Sequence, residues 1–286
     1  MTHTQGTTEW VPTPDGRRLH AMVLGPVDGP AVVFEAGAAA SRSSWAAVQP
    51  LVAEHARAIV YDRSGLGRSA PDPGGRTLSR MAGDLGSVLD HFGPGPFVLA
   101  GHSAGGPIVR LAAAAKPDRI AGLVLVDPTD EAADVLFGRS FRRMERSAIA
   151  VGGVLARLGL LGFVFRGTLR GVPDDVRDDL RREAFGPGVI RTQREQARTF
   201  LDELATWRTT PPGHDGIPVT VISGALPGNG MNAAMRAAAN ASHARRAAAA
   251  NGRHVLAGRS GHYVPITEPE LVAGEIRRLL EAHRPG

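Results

Sequence analysis

The sequence contains no cysteine, and this absence excludes disulfide bonds, thiolate metal sites and a cysteine nucleophile. It has a single lysine, Lys116, so arginine supplies nearly all of the positive charge behind the formal net charge of +5. The arginines are scattered among acidic residues, and no basic stripe with interleaved aromatic residues occurs. We therefore expect no nucleic-acid partner.

Signals for export or membrane insertion are also lacking. The opening residues, "MTHTQGTTEWVPTPDG", contain neither the basic nor the apolar region of a secretory signal, which predicts a cytoplasmic location. One apolar stretch, residues 148–165, is short, contains Arg157 and several glycines, and lies in the middle of the chain. We expect no membrane partner, and we expect a soluble monomer or homodimer.

What the sequence does contain is a series of short apolar runs bounded by Gly, Pro or Asp, which are typical of strands buried on both faces of a sheet. The predicted strands are residues 31–37, 56–62, 96–101, 121–127, 218–224 and 253–258. Predicted helices occupy residues 78–92, 105–116, 231–250 and 270–283, and Asp15-Gly16 predicts an early hairpin turn. The alternation predicts an α/β fold with a mostly parallel central sheet flanked by helices.

The alternation of strands and helices stops between Asp127 and Pro218, where the sequence patterns are helical and no strand is predicted. The 286 residues suffice for one large domain with an insertion. We predict a core of residues 1–128 and 216–286 with an inserted helical cap of residues 129–215.

The strongest chemical signal is "FVLAGHSAGGPIV", in which Gly101-His102-Ser103-Ala104-Gly105 fits the pattern G-x-S-x-G. An apolar strand precedes the motif and a helix with small residues follows it. Such a serine sits on a strained turn that projects its hydroxyl above the sheet. Ser103 is therefore the candidate nucleophile.

At this motif the chain resembles the α/β-hydrolase superfamily, and the resemblance covers nearly the whole length. "AVVFEAGAAASRSSW" is similar to the third strand and oxyanion loop, "VYDRSGLGRSAPDP" to the loop after the fourth strand, and "RSGHYVPITEPE" to the final histidine loop. The loop containing "GLGRSA" lacks the third glycine of a dinucleotide fingerprint. We expect the α/β-hydrolase fold, with no cofactor and no metal ion.

The resemblance also supplies candidates for the base and the oxyanion hole. His262 follows the last predicted strand, at the sheet edge where such sites lie, and is the candidate base. His102 has a packing or loop-anchoring role in this interpretation. The amides of Ala104 and Ala38 are the candidate oxyanion donors, and Glu35 could anchor the Ala38 loop through Arg63.

The acid is the unsettled member of the triad. In this superfamily it usually follows the seventh strand, but "VTVISGALPGNGMNAAM" contains no acidic residue. Some members place it after the sixth strand, where "LVLVDPTDE" offers Asp127. Asp127 is the first candidate, Asp130 the second, and Asn229 a neutral third.

Together these residues predict a cofactor-independent serine hydrolase that cleaves a carboxylic ester, lactone or thioester with an apolar moiety through an acyl-enzyme. The expected partner is a small-molecule acyl substrate. An acyltransferase, a peptidase and a peroxyacid-forming enzyme would share the same triad. A non-catalytic ligand-binding protein on this scaffold is the alternative of a different class.

Overall fold

The computed structural model describes residues 2–167, 172–213, 216–228 and 230–283. Its strands are β1 (Thr7–Pro12), β2 (Arg18–Leu24), β3 (Ala31–Glu35), β4 (Arg57–Tyr61), β5 (Phe97–His102), β6 (Ile120–Val126), β7 (Val219–Gly224) and β8 (Arg253–Ala257). They form one sheet in the order β1-β2-β4-β3-β5-β6-β7-β8. The β1–β2 and β2–β4 pairs are antiparallel, and all other pairs in this sheet are parallel. The predicted α/β fold with a mostly parallel sheet is confirmed.

Helices flank this sheet and fill the long connection between β6 and β7. They are α1 (Gln49–Ala53), α2 (Leu78–Phe92), α3 (Gly105–Ala115), α4 (Arg139–Arg157), α5 (Leu161–Val164), α6 (Asp174–Glu183), α7 (Pro187–Ala197), α8 (Phe200–Thr206), α9 (Ala233–Ala249), α10 (Val264–Thr267) and α11 (Pro269–Ala282). Short 3-10 helices occur at Arg42–Trp45, Pro117–Arg119 and Asp134–Phe137. Each helix and strand predicted from the sequence is present, within a few residues of its predicted ends.

The two faces of the sheet bury alternate residues of each strand. Leu99 of β5 packs in a cluster with α2 and α3, whereas its neighbour Val98 packs in a second cluster with α1 and α11. A strand directs successive side chains to opposite faces, so a strand covered on both sides must be apolar throughout. This is the physical reason that β5 and β6 are continuous apolar runs in the sequence.

The described regular structure between β6 and β7 is helical, and we call α4 to α8 the cap segment. None of the described helices combines the length and the apolar character needed to cross a membrane. The apolar stretch at residues 148–165 divides between the end of α4 and the short helix α5. The domain boundaries at residues 129 and 215 stay a prediction.

A buried ion cluster connects the cap segment to the sheet. Arg42, which has no solvent-exposed surface, lies 2.6 Å from Asp62 at the end of β4. The same guanidinium lies 2.5 Å from Asp179 and 2.6 Å from Glu183, both on α6. Arg68 donates to Asp179 and Glu183 as well. Helix α6 is therefore fixed to the core by charged side chains rather than by apolar packing alone.

Candidate active site

Ser103 occupies a strained turn between β5 and α3. Its φ is 54°, a left-handed conformation that non-glycine residues rarely adopt. A Cβ atom on Gly101 would lie 2.6 Å from the Gly105 carbonyl oxygen, and one on Gly105 would lie 2.5 Å from the Glu35 carbonyl oxygen. Glycine at both positions lets strand, helix and neighbouring strand approach this closely, as the G-x-S-x-G pattern requires.

The three residues predicted as a triad lie together at the carboxyl edge of the sheet. His262 Nε2 lies 3.0 Å from Ser103 Oγ, and His262 Nδ1 lies 2.6 Å from Asp127 Oδ2. In this arrangement Nδ1–H donates to the carboxylate, and Nε2 is left to accept the serine proton. The geometry allows the serine hydroxyl to be activated as a nucleophile.

Asp127 is the first residue after β6, and both of its carboxylate oxygens have hydrogen-bond partners. While Oδ2 faces His262, Oδ1 accepts hydrogen bonds from the Gly224 amide at 3.1 Å and from Arg236 Nη1 at 2.5 Å. Burial alone would raise the pKa of Asp127, but the hydrogen bonds from His262 and Arg236 outweigh it and lower that pKa. The carboxylate stays ionised and can stabilise a positive charge on His262.

The other two candidates for the acid are not in this arrangement. Asp130 accepts from Ser242 Oγ at 2.7 Å, from the Ala132 amide at 2.8 Å and from Arg246 Nε at 2.9 Å. Its carboxylate therefore serves the junction between the sheet and the cap segment, away from His262. Asn229 lies outside the described residues.

The segment after Asp127 is held from two sides. The Pro128 carbonyl oxygen accepts from His243 Nε2 at 2.8 Å. Glu131 receives a two-point contact from Arg110 of α3, at 2.6 and 2.8 Å, and a further contact from Arg246 of α9. We call these contacts the clamp at residues 128–131.

A chain of buried side chains supports β7 beneath the acid. His243 Nε2 donates to Pro128, so its Nδ1 accepts from Ser223 Oγ at 2.7 Å, and Ser223 in turn accepts from His254 Nε2 at 2.8 Å. Burial lowers the pKa of His243. The neutral imidazole this favours is the form that the chain of donors and acceptors requires.

The His262 loop packs against the end of β7. The Leu226 amide donates to the Ser260 carbonyl oxygen at 2.9 Å, and a Cβ atom on Gly224 would lie 2.0 Å from the Gly261 carbonyl oxygen. From the other side, Glu268 accepts from Ser260 Oγ at 2.6 Å. Strand β7, which contains no acidic residue, thus contacts the loop of the candidate base through its backbone.

Ala38 and Ala104, the predicted oxyanion donors, line one cavity together with Ser103. In the described part of the chain, neither backbone amide donates a hydrogen bond. Ala39, the next residue of this loop, has a φ of 55°. Two free N–H groups beside a nucleophile can bind the oxyanion of a tetrahedral intermediate.

Arg63 fixes the loop that contains Ala38. Its guanidinium donates to the Glu35 carboxylate, to the Ala36 carbonyl oxygen and, at 2.5 Å, to the Gly37 carbonyl oxygen. Tyr61 donates to the other oxygen of Glu35. Burial raises the pKa of Glu35, although the Arg63 charge opposes this effect. Glu35 thus has the anchoring contact expected from the sequence.

His102 contacts the backbone of His262, the candidate base. Its Nε2 donates to the His262 carbonyl oxygen at 2.9 Å, and the two ring centroids are 4.8 Å apart. Burial, helped by repulsion from His262, lowers the pKa of His102 to about 3. A neutral imidazole that holds the backbone of the base fits the loop-anchoring role predicted for it.

The cavity beside Ser103 has a volume of about 160 Å³ and is closed on one side by the cap segment. Apolar lining comes from Leu136, Phe141, Ala197, Phe200 and Leu201, and polar lining from Thr129, Glu145, Gln193 and Gln196. An apolar cavity of about 150 Å³ holds one benzene molecule. The site therefore fits a group of roughly six non-hydrogen atoms.

The sequence indicated neither Arg236 nor His243, although both contact the acid or its segment. They lie on α9, an alanine-rich helix with no sharp apolar stripe. An arginine there is typical of a solvated face, so no signal in one sequence marks it. Across the described residues, no group of three or more His, Asp or Glu side chains is placed to hold a metal ion.

Comparison with known proteins identifies the fold. Residues 30–157 match a family described as "alpha/beta hydrolase fold". The epoxide hydrolase CorEH has a TM-score of 0.74 and 22% identity, over 97% of this chain and 99% of that structure. A thermophilic esterase from Thermogutta terrifontis has a TM-score of 0.71 and 24% identity, over 97% and 99%. These similarities show that the chain has the α/β-hydrolase fold.

Curated relatives match a shorter part of the chain. RutD of Azorhizobium caulinodans, a candidate carbamate hydrolase, is 34% identical over 125 residues, which cover 43% of this chain and 46% of RutD. RutD of Variovorax paradoxus is 39% identical over 115 residues, or 38% of this chain and 42% of that relative. The match thus spans less than half of these relatives' length. Ser103 and Asp127 lie within the stretch matched by the family, and His262 lies beyond it.

Proposed function

We propose that this protein is a serine hydrolase that cleaves small carboxylic esters, lactones or thioesters through an acyl-enzyme. The observation that carries the proposal is the continuous hydrogen-bonded line Ser103–His262–Asp127, with the free amides of Ala38 and Ala104 beside it. A serine nucleophile attacks a carbonyl carbon and forms an acyl ester. Epoxide opening through an alkyl-enzyme ester would instead use an aspartate at the elbow.

The first half-reaction begins when His262 Nε2 takes the proton of Ser103 Oγ as that oxygen attacks the carbonyl carbon. The carbonyl oxygen becomes an oxyanion and receives the two amide hydrogen bonds. Asp127 stabilises the imidazolium without taking its proton. His262 then protonates the leaving alcohol or thiol as its bond to the acyl carbon breaks.

The second half-reaction repeats these steps with water. His262 takes a proton from water as the water oxygen attacks the Ser103 ester, and collapse of the intermediate returns that proton to Ser103 Oγ. The acid product leaves and the free enzyme is restored. Because the acid is ionised and doubly anchored, the orientation of His262 need not change between the two halves.

Carbamate hydrolysis is the second candidate. It is favoured by the sequence similarity to the candidate carbamate hydrolases named above. The same attack on a carbonyl carbon would operate, with an alcohol, phenol or amine as the leaving group and a carbamoyl or carbonate ester on Ser103 in place of the acyl ester. Phenyl carbamate assayed beside phenyl acetate separates the two candidates, because each contains the same phenol leaving group.

A fluorophosphonate probe tests the proposal directly. We expect stoichiometric labelling of the wild type, loss of labelling in Ser103→Ala, and turnover of p-nitrophenyl acetate. Asp127→Asn should lower kcat by about 10⁴-fold, because the wrong tautomer of His262 then faces the serine. Asp130→Asn is the matched control with near-normal kcat. Absence of both labelling and turnover, or normal turnover by Asp127→Asn, would contradict the assignment.

A further inference from the structure

The cap wall of the cavity carries hydrogen-bond acceptors that have no partner. Glu145 of α4 forms no hydrogen bond or ion pair within the described residues, and Gln193 of α7 forms no side-chain hydrogen bond there. Gln196 is only 3% exposed, and its Oε1 is a buried oxygen without a partner. All three residues line the cavity that contains Ser103.

Helix geometry places these groups on the cavity side. Phe141 and Glu145 are four residues apart on α4, and Gln193 and Gln196 are three apart on α7, so each pair shares one helix face. In both pairs the partners line the same cavity. The polar side chains thus belong to the inner face of the cap segment, where an amphipathic helix would ordinarily present apolar residues.

A buried hydrogen-bond acceptor without a partner destabilises the protein, so a ligand that donates a hydrogen bond to it is favoured in the cavity. Leaving such a group without a partner destabilises the unliganded protein, and the effect is larger for a charged group. The carboxylate of Glu145 accepts hydrogen bonds only, whereas a carboxamide can both accept and donate. A group that offers several N–H donors and a positive charge satisfies Glu145 and Gln196 at once.

The charges near Glu145 leave it available to such a group. Burial raises the pKa of Glu145, and Arg142 opposes this effect from the preceding turn of α4. The guanidinium of Arg142, however, donates at 2.7 Å to Asp202 at the start of α8. Arg142 is therefore paired with another carboxylate, and Glu145 is left without an ion pair within the described residues.

We propose that the cavity binds a primary ammonium group, so that the preferred substrates are small esters whose cavity-occupying part carries an amine. This inference rests on the proposed function for turnover. Glu145 supplies the countercharge, Gln196 supplies a hydrogen-bond acceptor, and the volume of about 160 Å³ limits the group to a short chain. Leu136, Phe200 and Leu201 pack against its methylene groups.

Isosteric ethyl esters test this preference. Alanine ethyl ester, ethyl lactate and ethyl isobutyrate differ only in an ammonium, hydroxyl or methyl group at one position. β-Alanine ethyl ester and ethyl butanoate form a second pair with a longer reach. We expect the wild type to show at least about a tenfold higher kcat/KM for one ammonium ester over its methyl partner, since one charge-assisted hydrogen bond corresponds to that factor or more.

Two variants assign the preference to residues. Glu145→Gln should abolish the ammonium preference, so that kcat/KM for each ammonium ester falls to that of its methyl partner measured with the same variant. Gln196→Leu should reduce kcat/KM for both the ammonium and the hydroxyl ester. Glu195→Gln, on the same helix but outside the cavity lining, is the control and should retain the preference.

Binding to Ser103→Ala separates this inference from the proposed function, because that variant cannot form an acyl-enzyme. We expect n-propylammonium to bind at least about tenfold more tightly to Ser103→Ala than to Ser103→Ala/Glu145→Gln, measured by titration calorimetry. Equal binding to both, or an ammonium preference that survives Glu145→Gln, overturns the inference. Tight binding without ester turnover would uphold it and reject the hydrolase.

Discussion

Among the described residues, left-handed backbone at non-glycine positions is concentrated at the site. Ser103 (φ 54°), Asp127 (φ 41°) and Ala39 (φ 55°) lie at or beside the candidate nucleophile, the candidate acid and the candidate oxyanion loop. Such conformations cost about 1–3 kcal/mol each and persist only where the surroundings enforce them. Here the enforcing contacts include the Gly101–Gly105 approach, the Arg236–Asp127 pair and the Arg63 contacts to the loop.

The residue with the sharpest pH signature is His102. Because its pKa falls to about 3, below the ordinary value near 6.5, protonation favours the unfolded chain between those two values. Its stabilising contribution is complete above pH 6.5 and is lost as the pH falls toward 3. The free energy of unfolding should therefore decline by up to about 1.4 kcal/mol per pH unit from this residue.

Urea unfolding of the wild type and His102→Gln at several values between pH 7 and pH 4 isolates the effect. The glutamine retains an N–H donor for the His262 carbonyl oxygen but does not titrate. We expect the free energy of unfolding of His102→Gln to depend less steeply on pH than that of the wild type. The difference should correspond to the uptake of about one proton fewer on unfolding. Parallel curves would show that His102 is protonated in the folded protein.

At the scale of elements, strand β7 contacts the loop of the candidate base His262, although none of its own side chains belongs to the line Ser103–His262–Asp127. Its last residue, Gly224, donates its amide to Asp127 and also faces the backbone of the His262 loop. One backbone position therefore contacts the segments of both the acid and the base.

Gly224→Ala should disturb both contacts, because its Cβ would meet the Gly261 carbonyl oxygen at 2.0 Å. We expect kcat/KM for p-nitrophenyl acetate to fall by about 10²-fold, the effect of a shift of about 1 Å in a catalytic group. Gly258→Ala, at the start of the His262 loop after β8 but with no atom within 4 Å of the new Cβ, should be near normal. Equal activities in the two variants would show that the loop moves without consequence for His262.

Elements and site residues differ in how far the sequence predicts them. The strands are predictable because burial on both faces demands uninterrupted apolar runs, and Ser103 because the elbow demands glycines at fixed spacing. Asp127 follows from strand order combined with the lack of an acid after β7. Arg236, Glu145 and Gln196 were missed, since polar residues on amphipathic helices are ordinarily solvated and only tertiary packing turns these inward.

At the scale of the whole molecule, buried ion pairs attach helix α6 of the cap segment to the sheet. Asp179 of α6 is 1% exposed and contacts Arg42 and Arg68 of the core. Removing one partner of a buried charged hydrogen bond leaves the other unsatisfied, which costs more than an exposed pair contributes.

We expect Asp179→Asn to lower the free energy of unfolding by about 2 kcal/mol and to speed tryptic cleavage within the arginine-rich cap segment. Asp178→Asn, whose exposed carboxylate pairs with Arg181 alone among the described residues, should change stability by no more than about 0.5 kcal/mol. Urea unfolding and limited proteolysis measure the two effects. If Asp178→Asn destabilised the protein as much as Asp179→Asn, the attachment would not depend on the buried cluster.

The clamp at residues 128–131 holds the segment that follows the candidate acid, Asp127. The acid and the cap segment share one covalent connection, so a displacement of the helices would otherwise pull on Asp127. Arg110 and Arg246 hold Glu131 to α3 and α9. The clamp lies between Asp127 and the cap segment along the chain, so the position of Asp127 is set by helices that flank the sheet and not by the cap helices alone.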